Sequence, residues 1–267
     1  MPAPTPHDAD LPLSGRHAVV TGGGRGIGAA IADELARLGA AVTVMGRGVD
    51  ALQATAERLR AEHGARAAAV ACDVADEGSV QRAFAEARAA FGEPYALVNN
   101  AGQSAAGTLE DTSRETWDAM LAVNLTGAYL CIRGVLPGMR AAGAGRIVNV
   151  ASTGGLRGYS HTAAYCAAKH GLVGLTRALA HETAKQGITV NAVCPGYTDT
   201  GMAAAAAANL AAAGRTPDEA RRLLLRGIPR GMLTKPAEVA AAVGWLCTPA
   251  AAAVTGTALP VAGGEVP

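Results

Sequence analysis

Tyr165, Lys169 and Ser152 are the residues of this chain best suited to chemistry. A Tyr-x-x-x-Lys spacing places both side chains on one helix face, where positions i and i+4 are neighbours. A phenol with a reference pKa near ~10 is a poor base at neutral pH, and an ammonium beside it stabilises the phenolate. Ser152 follows the apolar run Arg146-Ile-Val-Asn-Val-Ala151, which reads as a buried strand, so its hydroxyl stands at a strand end. Together the three suit proton exchange with an alcohol or ketone while a hydride moves elsewhere. Tyr-x-x-x-Lys alone also arises on solvated helix faces, so the elements around it carry the weight.

Those elements alternate. Runs rich in Val, Ile and Ala predict strands at His17–Thr21, Ala41–Met45, Ala67–Cys72, Ala96–Asn99, Arg146–Ala151, Thr189–Cys194 and Ala258–Val261. Helical stretches fall between them, near 26–38, 50–63, 77–91, 114–138, 162–186 and 236–247. Strands that are apolar without alternation, each followed by a helix, predict a parallel sheet covered on both faces. Right-handed crossovers make this a single-domain, Rossmann-type, doubly wound α/β fold with seven strands and a ligand crevice at their carboxyl ends. The proline-rich residues 1–13 read as a disordered lead-in, and 14–267 as one domain.

The first strand runs into Thr21-Gly-Gly-Gly-Arg-Gly-Ile-Gly28 and then a helix. Glycines at 22, 26 and 28 permit a tight turn and close approach of backbone to a pyrophosphate, to which the helix N-terminus offers free N–H groups. A glycine-rich turn can also be a plain connection; after the first strand of a βαβ series it reads as a dinucleotide loop.

The 267 residues are half hydrophobic, with 17% charged and a net charge of +1. No charge field points to nucleic acid or an anionic membrane. The five cysteines are widely spaced with no C-x-x-C, which predicts neither a metal site nor a disulfide framework. The start lacks the pattern of a secretory signal, and no uninterrupted apolar run reaches spanning length, so a soluble, cytoplasmic protein is expected. An alanine-rich stretch, Ala203–Ala213, with Gly214-Arg-Thr-Pro217 and a helical Asp218–Arg226, reads as a helix–turn–helix excursion. Residues 201–226 are then expected to form a lid over the substrate, the alternative being an inert surface insertion.

Thr21–Gly28, Asn99-Asn-Ala-Gly102, Asn124, Ser152, Tyr165/Lys169 and Pro195-Gly196 occur in the order and spacing of the short-chain dehydrogenase/reductase family. The chain resembles that family over residues 14 to 264. The resemblance implies Tyr165 as general acid/base and Ser152 as the group steadying the substrate carbonyl. Lys169 would lower the tyrosine pKa and hold the nicotinamide ribose, and Asn124 would anchor a water in the proton relay. For the cofactor it implies Gly22, Gly26, Ile27 and Gly28 in the loop, where the charge of Arg25 offers a second contact to a 2′-phosphate, and Asp73 and Val74 at the adenine. Asn99, Ala101 and Gly102 would serve the adenosine side, Pro195, Gly196 and Thr198 the carboxamide, and Thr200 the phosphates. Tyr165 and Lys169 would touch the nicotinamide side as well.

Where members using NAD place a carboxylate to accept from both ribose hydroxyls, this chain reads Met45-Gly46-Arg47. A guanidinium suits a 2′-phosphate, so NADP(H) is favoured and NAD(H) is the alternative. Ala151-Ser-Thr-Gly-Gly155, Ala164-Tyr-Cys-Ala-Ala-Lys-His-Gly171 and Val190-Asn-Ala-Val-Cys-Pro-Gly196 are similar to the branch holding 3-oxoacyl-thioester and polyketide ketoreductases. The loop Gln103-Ser-Ala-Ala-Gly107 lacks the Pro-Gly-Gly that aromatic polyketide ketoreductases often carry. The expected partner is a small carbonyl or alcohol substrate, with a homotetramer (or homodimer) implied by the resemblance. A secondary-alcohol or cyclic-ketone dehydrogenase and an inactive dinucleotide sensor are the rival readings. The sensor predicts loss of a catalytic residue, and all four are present.

Overall fold

The structure, a computed structural model, describes residues 11–201, 203–204, 208 and 214–266. Its strands are β1 (His17–Thr21), β2 (Ala41–Gly46), β3 (Ala67–Ala71), β4 (Ala96–Asn99), β5 (Gly145–Val150), β6 (Ile188–Pro195) and β7 (Ala258–Val261). They form one sheet in the order β3-β2-β1-β4-β5-β6-β7, and every pairing is parallel. The helices are α1 (Gly26–Arg37), α2 (Val49–His63), α3 (Glu77–Phe91), α4 (Arg114–Leu121), α5 (Gly127–Ala142), α6 (Ala163–Thr183), α7 (Pro217–Leu225) and α8 (Pro236–Cys247).

Successive strand side chains point to opposite faces, and each face has its own core. Val20, Val42, Val44, Val98 and Val148 pack with Ile31, Leu35, Leu52, Leu59 and Val243 of α1, α2 and α8. Val19, Met45, Leu97, Ile147 and Val190 pack on the other side with Val80 and Phe84 of α3, Val135 and Met139 of α5 and Leu179 of α6. Burial on both faces is why these strands read as continuous apolar runs.

The chain leaves β1 for β2 in one direction along the sheet and later returns to β4 on the other side. This reversal opens a crevice above the carboxyl ends of β1 and β4. The helices are fixed locally. Asp76 caps α3 by accepting from Ser79 N, Ser113 caps α4 by accepting from Thr116 N, and α2 stops at Gly64 with φ +63°.

Three expectations are corrected. The packed chain begins before residue 14: Leu13 is buried and its N–H bonds Leu38 O at 2.9 Å, while residues 1–10 lie outside the described ones. The helix expected at 114–138 runs from Arg114 to Ala142, and Ala122–Thr126 within it is π-helical, Gly127 N–H bonding Ala122 O. The stretch expected at 162–186 is α6 followed by a 3-10 turn over Ala184–Gln186. By length and composition the 114–142 helix would suffice to cross a membrane. Here Cys131, Ile132, Val135 and Met139 are instead buried in the core beside the sheet. Much of the expected lid, including residues 202, 205–207 and 209–213, lies outside the described residues. Its second half is α7, opened by a capping box between Thr216 and Glu219.

Candidate active site

The glycine loop sits at the carboxyl end of β1. Gly22 N–H and Gly23 N–H both approach Met45 O, at 2.7 and 3.3 Å, which ties the turn to the end of β2. Gly22 (φ +66°) and Gly26 (φ +55°) adopt backbone that side chains disfavour, and a Cβ at Gly28 would overlap the Gly22 carbonyl oxygen. The α1 N-cap, Arg25, makes no side-chain cap, and the first turn holds no acidic residue. The N–H groups of α1 therefore face outward uncompensated, in a loop of exposed Arg25 and Gly26 with half-buried Ile27. That is the donor set a dinucleotide pyrophosphate requires, so the residues fit the cofactor.

The loop is held by the residues that follow β4. Thr21 Oγ1 accepts from Asn100 N and Ala101 N, both at 3.0 Å. Asn100 Nδ2 donates to Thr21 O at 3.0 Å and Gly22 O at 3.2 Å. Sequence reasoning passed over Asn100 for its neighbour; the Asn-Asn pair was the available signal. Asn99 is turned the other way: its Nδ2 donates to Asn149 Oδ1 at 2.9 Å in the buried sheet. Its Oδ1 has no hydrogen-bond partner among the described residues, and Asn99 lines the small cavity beside Thr21, Val74 and Asn124.

Ser152 follows β5 with extended backbone (φ −177°), and its Oγ accepts from Gly154 N at 3.0 Å. α6 carries Tyr165 and Lys169 one turn apart, facing this strand end. Burial pushes the Tyr165 phenol above its ordinary pKa; a hydrogen bond with Ser152 pulls the other way without reversing the shift. Lys169 is 4% exposed, and burial brings its ammonium down to about 8. Its Nζ donates to Val150 O at 2.8 Å and stands 5.8 Å from the centre of the Tyr165 ring. Burial sets the net direction of the Tyr165 shift, and the lowering of the phenol by Lys169 stays a proposal.

Asn124 sits in the π turn, 1% exposed. Its Oδ1 accepts from Gln103 N at 3.2 Å, and its Nδ2 donates to Gln103 O at 2.9 Å and Met120 O at 3.0 Å. The side chain thereby staples the loop after β4. A Cβ at Gly102 would stand 2.9 Å from Asn124 Oδ1 and 3.7 Å from Lys169 Nζ, so glycine lets the three meet.

The other expected positions ring the same crevice. Arg47 is exposed and directly follows Gly46, whose Cα side faces Gly22. Asp73 accepts from Ala75 N at 3.0 Å, and buried Val74 packs against Gly127. Thr198 Oγ1 donates to Gly196 O at 3.0 Å, just past Pro195, and the Thr200 side chain lies against Gly26, joining the segment after β6 to the glycine loop. Away from the crevice, Asp33, Glu62 and His63 have ligand types within reach of one ion. The Arg58 guanidinium already bonds both carboxylates there, so a cation is in place.

The short chain dehydrogenase family model matches residues 16–211. The chain is 39% identical over 254 residues to the 3-oxoacyl-[acyl-carrier-protein] reductase FabG of Pseudomonas aeruginosa, covering 95% of this chain and 98% of that one. It is 40% identical over 256 residues to D-beta-hydroxybutyrate dehydrogenase of Cupriavidus necator, covering 95% and 99%. A crystal structure of a variant actinorhodin polyketide ketoreductase with NADPH superposes with a TM-score of 0.89 at 41% identity, covering 94% and 97%. The chain belongs to the short-chain dehydrogenase/reductase family. It is an NAD(P)-dependent oxidoreductase of the alcohol–ketone couple.

Proposed function

We propose that this protein reduces the ketone of a 3-oxoacyl thioester, carried on CoA or on a carrier protein, with NADPH. The observation that carries the reading is the convergence of Ser152, Tyr165 and Lys169 at the carboxyl end of β5, beside a glycine loop built for a pyrophosphate. Relatives named as 3-oxoacyl and polyketide ketoreductases support the substrate class. Exposed Arg47, with no carboxylate at Gly46, supports the 2′-phosphate. Bound in the crevice, the cofactor supplies a hydride.

The chain's own groups do the rest. Ser152 Oγ donates to the substrate carbonyl oxygen and orients it. Tyr165, kept protonated by burial, passes its phenolic proton to that oxygen as charge develops. Lys169 holds positive charge next to the phenol and serves the ribose hydroxyls. Both Asn124 Nδ2 donors are engaged with Gln103 O and Met120 O, so a relay water would be held by its main chain or by the second lone pair of Oδ1. The C. necator dehydrogenase keeps a second reading open, oxidation of a small secondary alcohol on the same site. By the family resemblance we extend the proposal to a cytoplasmic homo-oligomer.

Tyr165→Phe tests the assignment. Turnover should drop by about a hundredfold or more, the scale of general acid–base loss, with NADPH affinity unchanged. A folded variant keeping most of its activity would remove Tyr165 from the mechanism.

A further inference from the structure

The carboxylate of Glu265, 2% exposed, lies near the end of the chain and has no part in the chemistry above. Its Oε1 is 2.6 Å from the Tyr159 hydroxyl and 3.3 Å from Arg157 Nη2, and its main-chain oxygen accepts from Arg157 Nη1 at 3.4 Å. The Tyr159 hydroxyl is also 2.8 Å from Thr153 Oγ1. With one proton, it donates to the carboxylate and accepts from the threonine. Among the described residues Oε2 has no hydrogen-bond partner, and it abuts Gly196, where a Cβ would stand 2.6 Å away. A buried carboxylate with an unmatched oxygen is costly, and an apolar side chain would fill the same space without that cost.

Its neighbours give the reason. Thr153 adjoins Ser152 and opens the turn whose Gly154 N–H holds Ser152 Oγ. Gly196 begins the segment expected at the carboxamide. Arg157 reaches toward Gly227, and Gly263 and Gly264 pack on Ile228 and Pro229 beyond α7, where Arg230 N bonds Gly263 O at 3.0 Å. One carboxylate therefore joins the Ser152 turn, the Pro195-Gly196 segment and the chain after α7.

We propose that Glu265, acting through Tyr159 and Thr153, is a positioning residue that fixes the Ser152 hydroxyl for the substrate. This rests on the reading of Ser152 as the group that orients the carbonyl. The test measures kcat, KM for a 3-oxoacyl-CoA, and NADPH affinity by fluorescence for Glu265→Ala, Glu265→Gln, Tyr159→Phe and the Tyr159→Phe/Glu265→Ala double variant. Both Glu265→Ala and Tyr159→Phe should lower kcat by about tenfold, as for one hydrogen bond to a charged group. NADPH dissociation constants should stay unchanged. The double variant should match the worse single, since both remove one link. Glu265→Gln, whose amide oxygen still accepts from Tyr159, should recover most of the loss. Multiplying losses, no recovery in Glu265→Gln, or lower melting temperature with kcat intact would overturn the proposal and leave Glu265 a plain tail anchor. Ser152→Ala separates the two levels: if it keeps full kcat, the reading of Ser152 fails; if it loses activity while Glu265→Ala does not, only the role of Glu265 fails.

Discussion

Lys169 Nζ stands 5.8 Å from the centre of the Tyr165 ring and gives a hydrogen bond to Val150 O at 2.8 Å, with its ammonium almost entirely enclosed. Two groups proposed to act in one reaction are thus both desolvated, and burial drives them in opposite directions. The phenol goes up, the ammonium down to about 8. Each neutral form is favoured, which keeps the proton on Tyr165 at neutral pH.

This sets a pH dependence. In the proposed roles, ketone reduction needs the phenol protonated and Lys169 charged, so kcat/KM for reduction should hold at neutral pH and fall as pH rises through about 8. Oxidation of the corresponding alcohol needs the phenolate, whose pKa burial raises, so its rate should climb only at the alkaline end of the range, above the fall in reduction. Initial rates in both directions across pH 6–10 check this. A reduction profile flat to the top of that range would contradict the assignment of Lys169.

The same burial has a cost in stability. The Lys169 pKa is lower in the folded protein than in the unfolded chain, which binds the proton more strongly between about 8 and 10.5. Below about pH 8 the charged lysine penalises the fold in full, and the penalty lifts as pH rises through that window. Lys169→Met should therefore be inactive yet more stable at pH 7 by roughly 1–3 kcal/mol, with the gain shrinking toward pH 10.5. Denaturant melts at the two pH values measure it; a destabilised variant at pH 7 would refute it.

Arg47 should separate the two cofactors. Arg47→Ala should weaken NADPH binding by roughly 1.5–3 kcal/mol, the range for hydrogen bonds to charged groups, and leave NADH almost untouched. Dissociation constants for both cofactors decide it, and equal effects would mean that Arg47 does not read the 2′-phosphate.

The seven strands and the main helices between them were legible because parallel strands buried on both faces show as short apolar runs, and the long helices between them are set off by turns. The glycine loop was legible because its glycines are demanded by backbone geometry at Gly22 and Gly26. The π turn at Asn124 was not, since one extra residue in a helical turn leaves the apolar pattern of 114–142 almost intact. The inward turn of Asn99 was hidden because two adjacent asparagines look alike until Asn149 appears across the sheet. The tie from Tyr159 to Glu265 spans 106 positions, and no local pattern announces it. The direction of the Tyr165 shift depends on desolvation, which spacing cannot report.

The central claim is that this chain reduces a 3-oxoacyl thioester with NADPH. The most direct measurement is the loss of NADPH absorbance with 3-oxobutyryl-CoA as substrate, run beside NADH and beside Tyr165→Phe. The account predicts turnover with NADPH, a kcat/KM with NADH lower by about tenfold or more, as loss of one charge-assisted contact implies, and almost none in the variant. Turnover confined to small secondary alcohols with NAD, or thioester reduction undiminished in Tyr165→Phe, would contradict it.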